Sequence, residues 1–184
     1  MNQLKEKASK LFHENLRTVK DWPKAGIEFI DIFKTVTSNS ELNSLIINCF
    51  KEQYADKGIG VIAGLEARGF IFGAQLAYAM NLPFVPIRKL GKSPPPVVQV
   101  EYELEYGTDT IEIESMLISK GDRVLIVDDL IATGGTAQAA TNLLKKIGAS
   151  VQHFACIVEL SELPWKTQVL KEVEVFFITS FPKK

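Results

Sequence analysis

The sequence has few of the residues that most often carry chemistry. It holds two cysteines and two histidines. Cys49 and Cys156 lie far apart, match no paired or metal-ligand spacing, and sit in apolar runs where reduced, buried thiols occur. His13 and His153 form no ligand set, so both read as ordinary surface or core residues. Surplus charge is missing too. The 21 basic and 22 acidic residues leave a net −1, which gives no overall field for nucleic acid or an anionic membrane. Any anion must therefore be held locally. The N-terminus alternates Lys and Glu with apolar residues, which fits neither a signal peptide nor a membrane span, and the cytoplasm is the expected location. There is no internal repeat, low-complexity tract or domain linker. With 46% hydrophobic residues, 184 residues suffice for one core, so residues 1–184 are expected to form a single domain.

What is present is an alternation of strand-like and helix-like segments. Leu4, Ala8, Leu11 and Leu16 recur at helical spacing, which predicts an amphipathic helix ending before Trp22-Pro23. A connector bearing Pro and Gly follows. Ser38 and Glu41 have capping-box spacing ahead of a second helix carrying Leu42, Leu45, Ile46, Cys49 and Phe50. Val61–Leu65, the segment Phe70–Met80 and Phe84–Ile87 then form a strand–helix–strand unit, the signature of a parallel sheet. Residues 89–99 carry Gly91 and Pro94–Pro96 without periodicity and read as a mobile loop. Residues 101–106 and 109–114 suggest a hairpin around Gly107, with Ile111 and Ile113 inward and Glu112 and Glu114 outward. Val124–Val127 is wholly apolar, as expected of a central strand covered on both faces. A helix follows from Ala137 to Ile147 and stops at Gly148. Phe154–Val158 and Val175–Ile178 read as further strands. The expected fold is α/β, with a central, mostly parallel sheet flanked by helices.

The chemistry concentrates between the apolar strand and the helix after it, in Asp128-Asp129-Leu130-Ile131-Ala132-Thr133-Gly134-Gly135-Thr136. In an open α/β sheet, ligands bind at the carboxyl ends of the strands. Two adjacent carboxylates without a basic neighbour are costly to bury, and a vicinal diol or a cation is a natural partner. Thr hydroxyls and unobstructed Gly N–H groups at a helix N-terminus are suited to phosphate. A diol plus a phosphate describes ribose 5-phosphate. The plainer alternative is that the aspartates cap the helix and the glycines make a tight turn. Arg88 and Lys89 alone read as a solvated strand end, and Glu105 and Tyr106 as ordinary strand residues. Gly58–Ala63 has dinucleotide-fingerprint spacing but precedes its strand, and Pro86 removes a P-loop reading of Gly91-Lys92-Ser93.

The acid pair with its Thr-Gly-Gly-Thr loop resembles the signature of the type I phosphoribosyltransferases, which bind phosphoribosyl pyrophosphate (PRPP). Three further segments resemble the adenine-specific members: Ala63–Phe70, Ile87–Lys92 and Leu104-Glu105-Tyr106-Gly107. The resemblance implies that Asp128 and Asp129 hold the ribose hydroxyls and that Ala132, Thr133, Gly134, Gly135 and Thr136 wrap the 5-phosphate. It assigns Glu66, Ala67, Arg68, Arg88, Lys89 and Tyr106 to pyrophosphate. Glu105, Arg68 and Lys89 become the catalytic candidates, with Glu105 handling a proton at the purine. Residues 1–35 form an N-terminal helix and hood, residues 89–103 a mobile catalytic loop, and Glu28, Phe29, Ile30 and Leu130 the base site. Glu28 stands where a small or apolar residue is usual, and Ile30 where an arginine is usual.

The implied activity is Mg2+-dependent purine salvage from adenine and PRPP, with magnesium bound mainly through PRPP and pyrophosphate. A homodimer is implied, without nucleic-acid or membrane partners. The alternatives are transfer to another base and a non-catalytic PRPP-binding regulator.

Overall fold

The computed structural model describes residues 2–103, 107–161 and 170–182. The first helix, α1 (Asn2–Glu14), carries the expected apolar stripe, with Ala8 and Phe12 fully buried. A two-stranded antiparallel hood follows, β1 (Thr18–Lys20) paired with β2 (Glu28–Ile30). The hood leads into a short helix, α2 (Ile32–Thr37), capped by the Asp31 carboxylate accepting from the Lys34 N–H. The sequence reading placed this segment in a connector. Six residues carry too little periodicity to separate a helix from a loop.

The next helix, α3 (Ser40–Tyr54), corrects the expected capping box. Its cap is Asn39, whose side chain accepts from the Leu42 N–H at 3.0 Å, while Ser38 closes α2 by donating its hydroxyl to the Lys34 carbonyl. Both residues are good caps, and the preceding helix claims Ser38 first.

The remaining elements form one sheet and its covering helices. They are β3 (Val61–Leu65), α4 (Arg68–Met80), β4 (Phe84–Lys89), β5 (Val97–Glu103), β6 (Thr108–Glu114), β7 (Arg123–Val127), β8 (Leu130–Ile131), α5 (Gly135–Ile147), β9 (Ser150–Leu160) and β10 (Glu174–Phe181). Strand order is β10-β9-β7-β3-β4-β6-β5, with β8 also on β9. The pairs from β10 to β4 are parallel, and β6 joins β4 and β5 antiparallel. All five residues of β3 are buried, as are Val124–Val127 of β7, because helices cover both faces there. One face packs Leu143 and Leu144 of α5 against Ala63, Ile126 and Ile113. The other packs Phe12, Phe50 and Phe72 against Ile62, Leu125 and Ile157.

Two features position the site. The chain leaves β3 to one side through α4 and β4, then returns to β7 on the other side of β3. Strand order thus reverses between β3 and β7, and their carboxyl ends diverge into a crevice. Gly69 keeps the crevice narrow. A Cβ there would sit 2.5 Å from the Val127 carbonyl oxygen, so only glycine allows α4 so close to the end of β7.

The second feature is the hairpin. Residues 97–103 form a regular strand where the sequence reading placed part of a mobile loop. Val98, Val100 and Tyr102 pack against the core on the α5 side, and the Lys146 ammonium of α5 donates to the Gln99 carbonyl. Glu112, expected to face solvent, is 1% exposed. Its carboxylate accepts from the backbone N–H groups of Lys92 and Ser93 at 2.8 and 2.7 Å and from the Gln99 amide at 3.0 Å. A charge at that depth is tolerated because three donors meet it. They hold its carboxyl below the usual range despite burial.

Candidate active site

The carboxyl end of β7 runs directly into Asp128 and Asp129. They line a cavity of about 190 Å³ with Leu65, Arg68, Leu130 and the loop Ala132–Thr136. Asp129 is buried, and Asp128 partly so. Burial and, for Asp128, the neighbouring charge push both carboxyls above the usual range, and Arg68 opposes this at Asp129. The Arg68 Nε lies 3.0 Å from Asp129 Oδ2, bridging the carboxyl ends of β3 and β7. That contact is an ion pair without hydrogen-bond alignment, so Oδ2 is buried with no hydrogen-bond partner. Asp128 Oδ1 accepts from the Asp129 N–H at 2.8 Å. An unsatisfied carboxylate oxygen at a cavity wall is a place for a hydroxyl donor.

The phosphate side is built by backbone. Gly134 precedes α5 at φ +85°, a left-handed conformation suited to glycine. No side chain caps the helix and its first turn holds no acid. The first intrahelical bond is donated by Gln138 to Gly134 at 2.8 Å. The preceding N–H groups, of Gly135, Thr136 and Ala137, are the orphan donors of a helix N-terminus and line the cavity. Geometry therefore favours an anion here over the simple tight turn.

The pyrophosphate candidates converge from β3 and β4. Arg68 opens α4, directly after Ala67, while Arg88 and Lys89 end β4. Glu66, also expected at pyrophosphate, contacts the two cations in the structure. Its carboxylate accepts from the Lys89 N–H at 2.8 Å and lies 3.5 Å from Arg88 Nε, so it fixes the two cations. Arg88 also donates to the Lys92 carbonyl at 2.7 Å, yet its Nε is buried without a hydrogen-bond partner. The Lys89 ammonium pairs with Asp109 and reaches the Tyr102 hydroxyl at 3.5 Å. Tyr102, Asp109 and Glu112 were missed because their roles depend on cross-strand register, and nothing in the local sequence marks them. Glu105 and Tyr106 lie outside the described residues.

The base candidates divide. Glu28 and Ile30, two apart on β2, share one strand face and line a cavity of about 360 Å³ with Leu16, Ile27, Leu160 and Phe181. Phe29, on the opposite face, packs edge-on against Trp22 at 4.4 Å between ring centroids and does not line that cavity. Leu130 packs against the same apolar cluster as Ile30 and Leu160. Glu28 and Ile30 thus line the hood cavity, Leu130 lines the separate cavity of the aspartates, and Phe29 lies on the other face of β2.

Raised carboxyl pKa values mean that the folded state holds these protons more tightly than the unfolded chain. The aspartates therefore cost stability progressively as pH rises above about 4. Asp128→Asn removes that cost and keeps the oxygen that accepts from Asp129. It is expected to raise the Tm of the free protein, by a margin that grows from about pH 4 toward neutrality. It is also expected to weaken binding of a ribose 5-phosphate ligand about ten- to hundredfold, the worth of a charged hydrogen bond. Differential scanning calorimetry and titration calorimetry check the two effects.

Residues 31–177 match the phosphoribosyl transferase domain. The adenine phosphoribosyltransferase of Acidovorax sp. (strain JS42) is 49% identical over 152 residues, 82% of each chain. The crystal structure of the Rhodothermus marinus DSM 4252 adenine phosphoribosyltransferase superposes with a TM-score of 0.88 at 40% identity, over 96% of this chain and 99% of that one. That of the Saccharomyces cerevisiae enzyme, complexed with D-2,5-dideoxy-2,5-imino-altritol 1,6-bisphosphate and adenine, gives 0.87 at 36% identity, over 94% and 99%. The family match, the likeness over nearly the full chain, and the acid pair facing an uncapped helix N-terminus agree: the chain belongs to the phosphoribosyl transferase domain family and, within it, to the adenine phosphoribosyltransferases.

Proposed function

We propose that this chain joins adenine to the ribose 5-phosphate of PRPP, forming AMP and releasing pyrophosphate. The observation that carries this reading is the buried Asp129 oxygen without a hydrogen-bond partner, beside the uncapped N-terminus of α5 in one cavity. Hydroxyl donors of a ribose satisfy the first, and a 5-phosphate satisfies the second.

Departure of pyrophosphate leaves positive charge on the ribose and negative charge on the leaving group. Catalysis then rests on positioning and on fixed charges, without a covalent nucleophile. The Asp128 and Asp129 carboxylates stabilise the ribose side. Arg68, Arg88 and Lys89 face the leaving group, with Arg offering forked donors and Lys a point charge. Glu105 is assigned to proton handling at the purine. Among the described residues no group of three or more His, Cys, Asp or Glu is placed to hold a metal. Magnesium, bound mainly through PRPP and pyrophosphate, would be held beside Asp128 and Asp129 and would supply positive charge to the leaving group.

For the base, the faces of Phe29 and Leu130 receive a planar ring between them, and backbone groups of β2 read its edge. Because Glu28 replaces an apolar residue, base choice is the part most open to test. The purified protein is to be mixed with PRPP, magnesium and each of adenine, hypoxanthine, guanine and orotate while nucleotide and pyrophosphate are followed. Turnover of adenine alone is expected. Preference for another base would show that Glu28 and Ile30 redefine specificity, and PRPP binding without turnover would point to a regulator.

The lid in this reading is the connection between β4 and β5, residues 90–96, since residues 97–103 form β5. Gly91 at φ +76° and the run Pro94–Pro96 interrupt the sheet between β4 and β5, and opening the stretch would release the bonds of Lys92 and Ser93 to Glu112. PRPP with magnesium is expected to slow limited proteolysis between Gly91 and Val97 several-fold; equal rates with and without ligand would refute a lid.

No helix among the described residues is long and apolar enough to cross a membrane. The proposed setting is the cytoplasm. The proposed assembly is a homodimer, which the exposed Ile71 and Tyr78, seven residues apart on α4, suit. Sedimentation is expected to give twice the chain mass, and a single-chain mass would reject the dimer.

A further inference from the structure

The hairpin places three polar side chains on one face of three neighbouring strands. Tyr102 of β5 lies opposite Asp109 of β6, and Lys89 of β4 lies opposite Ile111, two residues from Asp109. Directly opposed and diagonal neighbours in antiparallel pairs are within reach of long side chains. The Lys89 ammonium pairs with Asp109 Oδ2 and reaches the Tyr102 hydroxyl, which itself lies 3.3 Å from Asp109 Oδ2. Asp109 Oδ1 accepts from the Thr110 N–H at 2.8 Å, which fixes the carboxylate plane. The Thr136 hydroxyl, from the phosphate loop, donates to the Tyr102 hydroxyl at 3.4 Å. One continuous chain of polar contacts thus runs from the pyrophosphate lysine to the 5-phosphate loop.

We propose that Asp109 and Tyr102 are positioning residues that hold the Lys89 ammonium beside the phosphate loop before the pyrophosphate group of PRPP arrives. This rests on the assignment of Lys89 to pyrophosphate. A lysine side chain has high rotamer entropy, and ordering it only on binding would subtract from affinity. An ammonium has three donors. Asp109 and Tyr102 take two and leave one for a phosphate oxygen. The pairing also keeps the lysine protonated. Burial works against its charge, but the bonds to Asp109 and Tyr102 outweigh this and raise its pKa. The opposite arrangement, in which Asp109 withholds the lysine from substrate, predicts the reverse response to mutation.

Asp109→Asn keeps the shape and removes the charge. Titration calorimetry of the full chain is to be run with PRPP and magnesium, with inorganic pyrophosphate and magnesium, and with AMP, which occupies the base and phosphate sites but lacks pyrophosphate. The expected result is about tenfold weaker PRPP and pyrophosphate binding, with AMP affinity within about twofold of the wild type. In Lys89→Ala, which should itself weaken PRPP binding, adding Asp109→Asn is expected to have little further effect, because the two act as one unit. Equal or tighter PRPP binding by Asp109→Asn would overturn the proposal, as would an equal loss for AMP. If Lys89→Ala loses affinity and Asp109→Asn does not, the positioning role alone fails. If Lys89→Ala binds PRPP normally, the pyrophosphate assignment fails and the proposal with it. Should Asp109→Asn not fold, Tyr102→Phe carries the test. It keeps the packed ring and is expected to weaken inorganic pyrophosphate several-fold, and unchanged affinity would overturn the proposal.

Discussion

The approach of Arg68 to Asp129 across the ends of β3 and β7 is the contact on which the site depends. Two carboxylates at the end of a buried strand repel each other and lose hydration, and one guanidinium offsets only part of that cost. Arg68 reaches Asp129 because strand order reverses between these strands and because Gly69 lets α4 pack onto the Val127 carbonyl. Had β7 joined the sheet beyond β4, the first turn of α4 would face a neighbouring helix and the acids would have no cation. The Asp129 oxygen, ion-paired with Arg68 but without a hydrogen bond, is what remains after this partial compensation. A ligand bringing hydroxyl donors recovers energy that the free protein has already spent on burial.

The same logic organises the cations, with the signs exchanged. Arg88 and Lys89 end a strand beside a hairpin, and unheld they would spread into solvent. Glu66, Glu112 and Asp109 hold them at different levels. Glu66 takes the Lys89 N–H and faces Arg88. Glu112 holds the backbone of Lys92 and Ser93, and the Lys92 carbonyl in turn accepts from Arg88. Asp109 takes the Lys89 ammonium directly. Each carboxylate leaves donors of its cation unused. That is the arrangement suited to an anion that comes and goes, because full internal pairing would compete with it.

The sheet was legible from sequence where a segment's environment is uniform. Val61–Leu65 and Val124–Val127 are apolar throughout because both of their faces are covered, and Gly148 ends its helix as its position predicts. The loop Asp128–Thr136 was legible because every group in it lies within nine consecutive residues. Legibility fell where a side chain's role depends on what lies across from it. Glu112 alternates with Ile111 and Ile113 and so reads as outward facing, but β5 and the turn after β4 cover that face and supply three donors. Phe29 reads as a stacking residue for the base, and its contact with Trp22, on the face of β2 opposite Glu28 and Ile30, is set by strand alternation that the residue alone does not reveal. Asn39 displaced Ser38 as a cap because two helices compete for adjacent residues, a contest that spacing alone does not decide.

The hood is therefore where this chain has most freedom to differ from its relatives. The acid pair, the phosphate loop and the cations are bound by mutual electrostatics, so a change in one leaves a buried charge without its partner. Glu28 and Ile30 sit on a two-stranded antiparallel ribbon outside the main sheet, held by the β1–β2 pairing and by apolar packing against Leu16, Leu160 and Phe181. Packing of this kind tolerates substitution by residues of similar volume at small cost. An arginine in place of Ile30 would set a charge into an apolar wall, beside the acid of Glu28 on the same strand face. The pair Glu28 and Ile30 thus keeps one charge and one apolar side chain at the cavity. Under the proposed function, recognition of the base rests on the backbone of β2 and on ring packing, interactions that such side-chain changes leave in place.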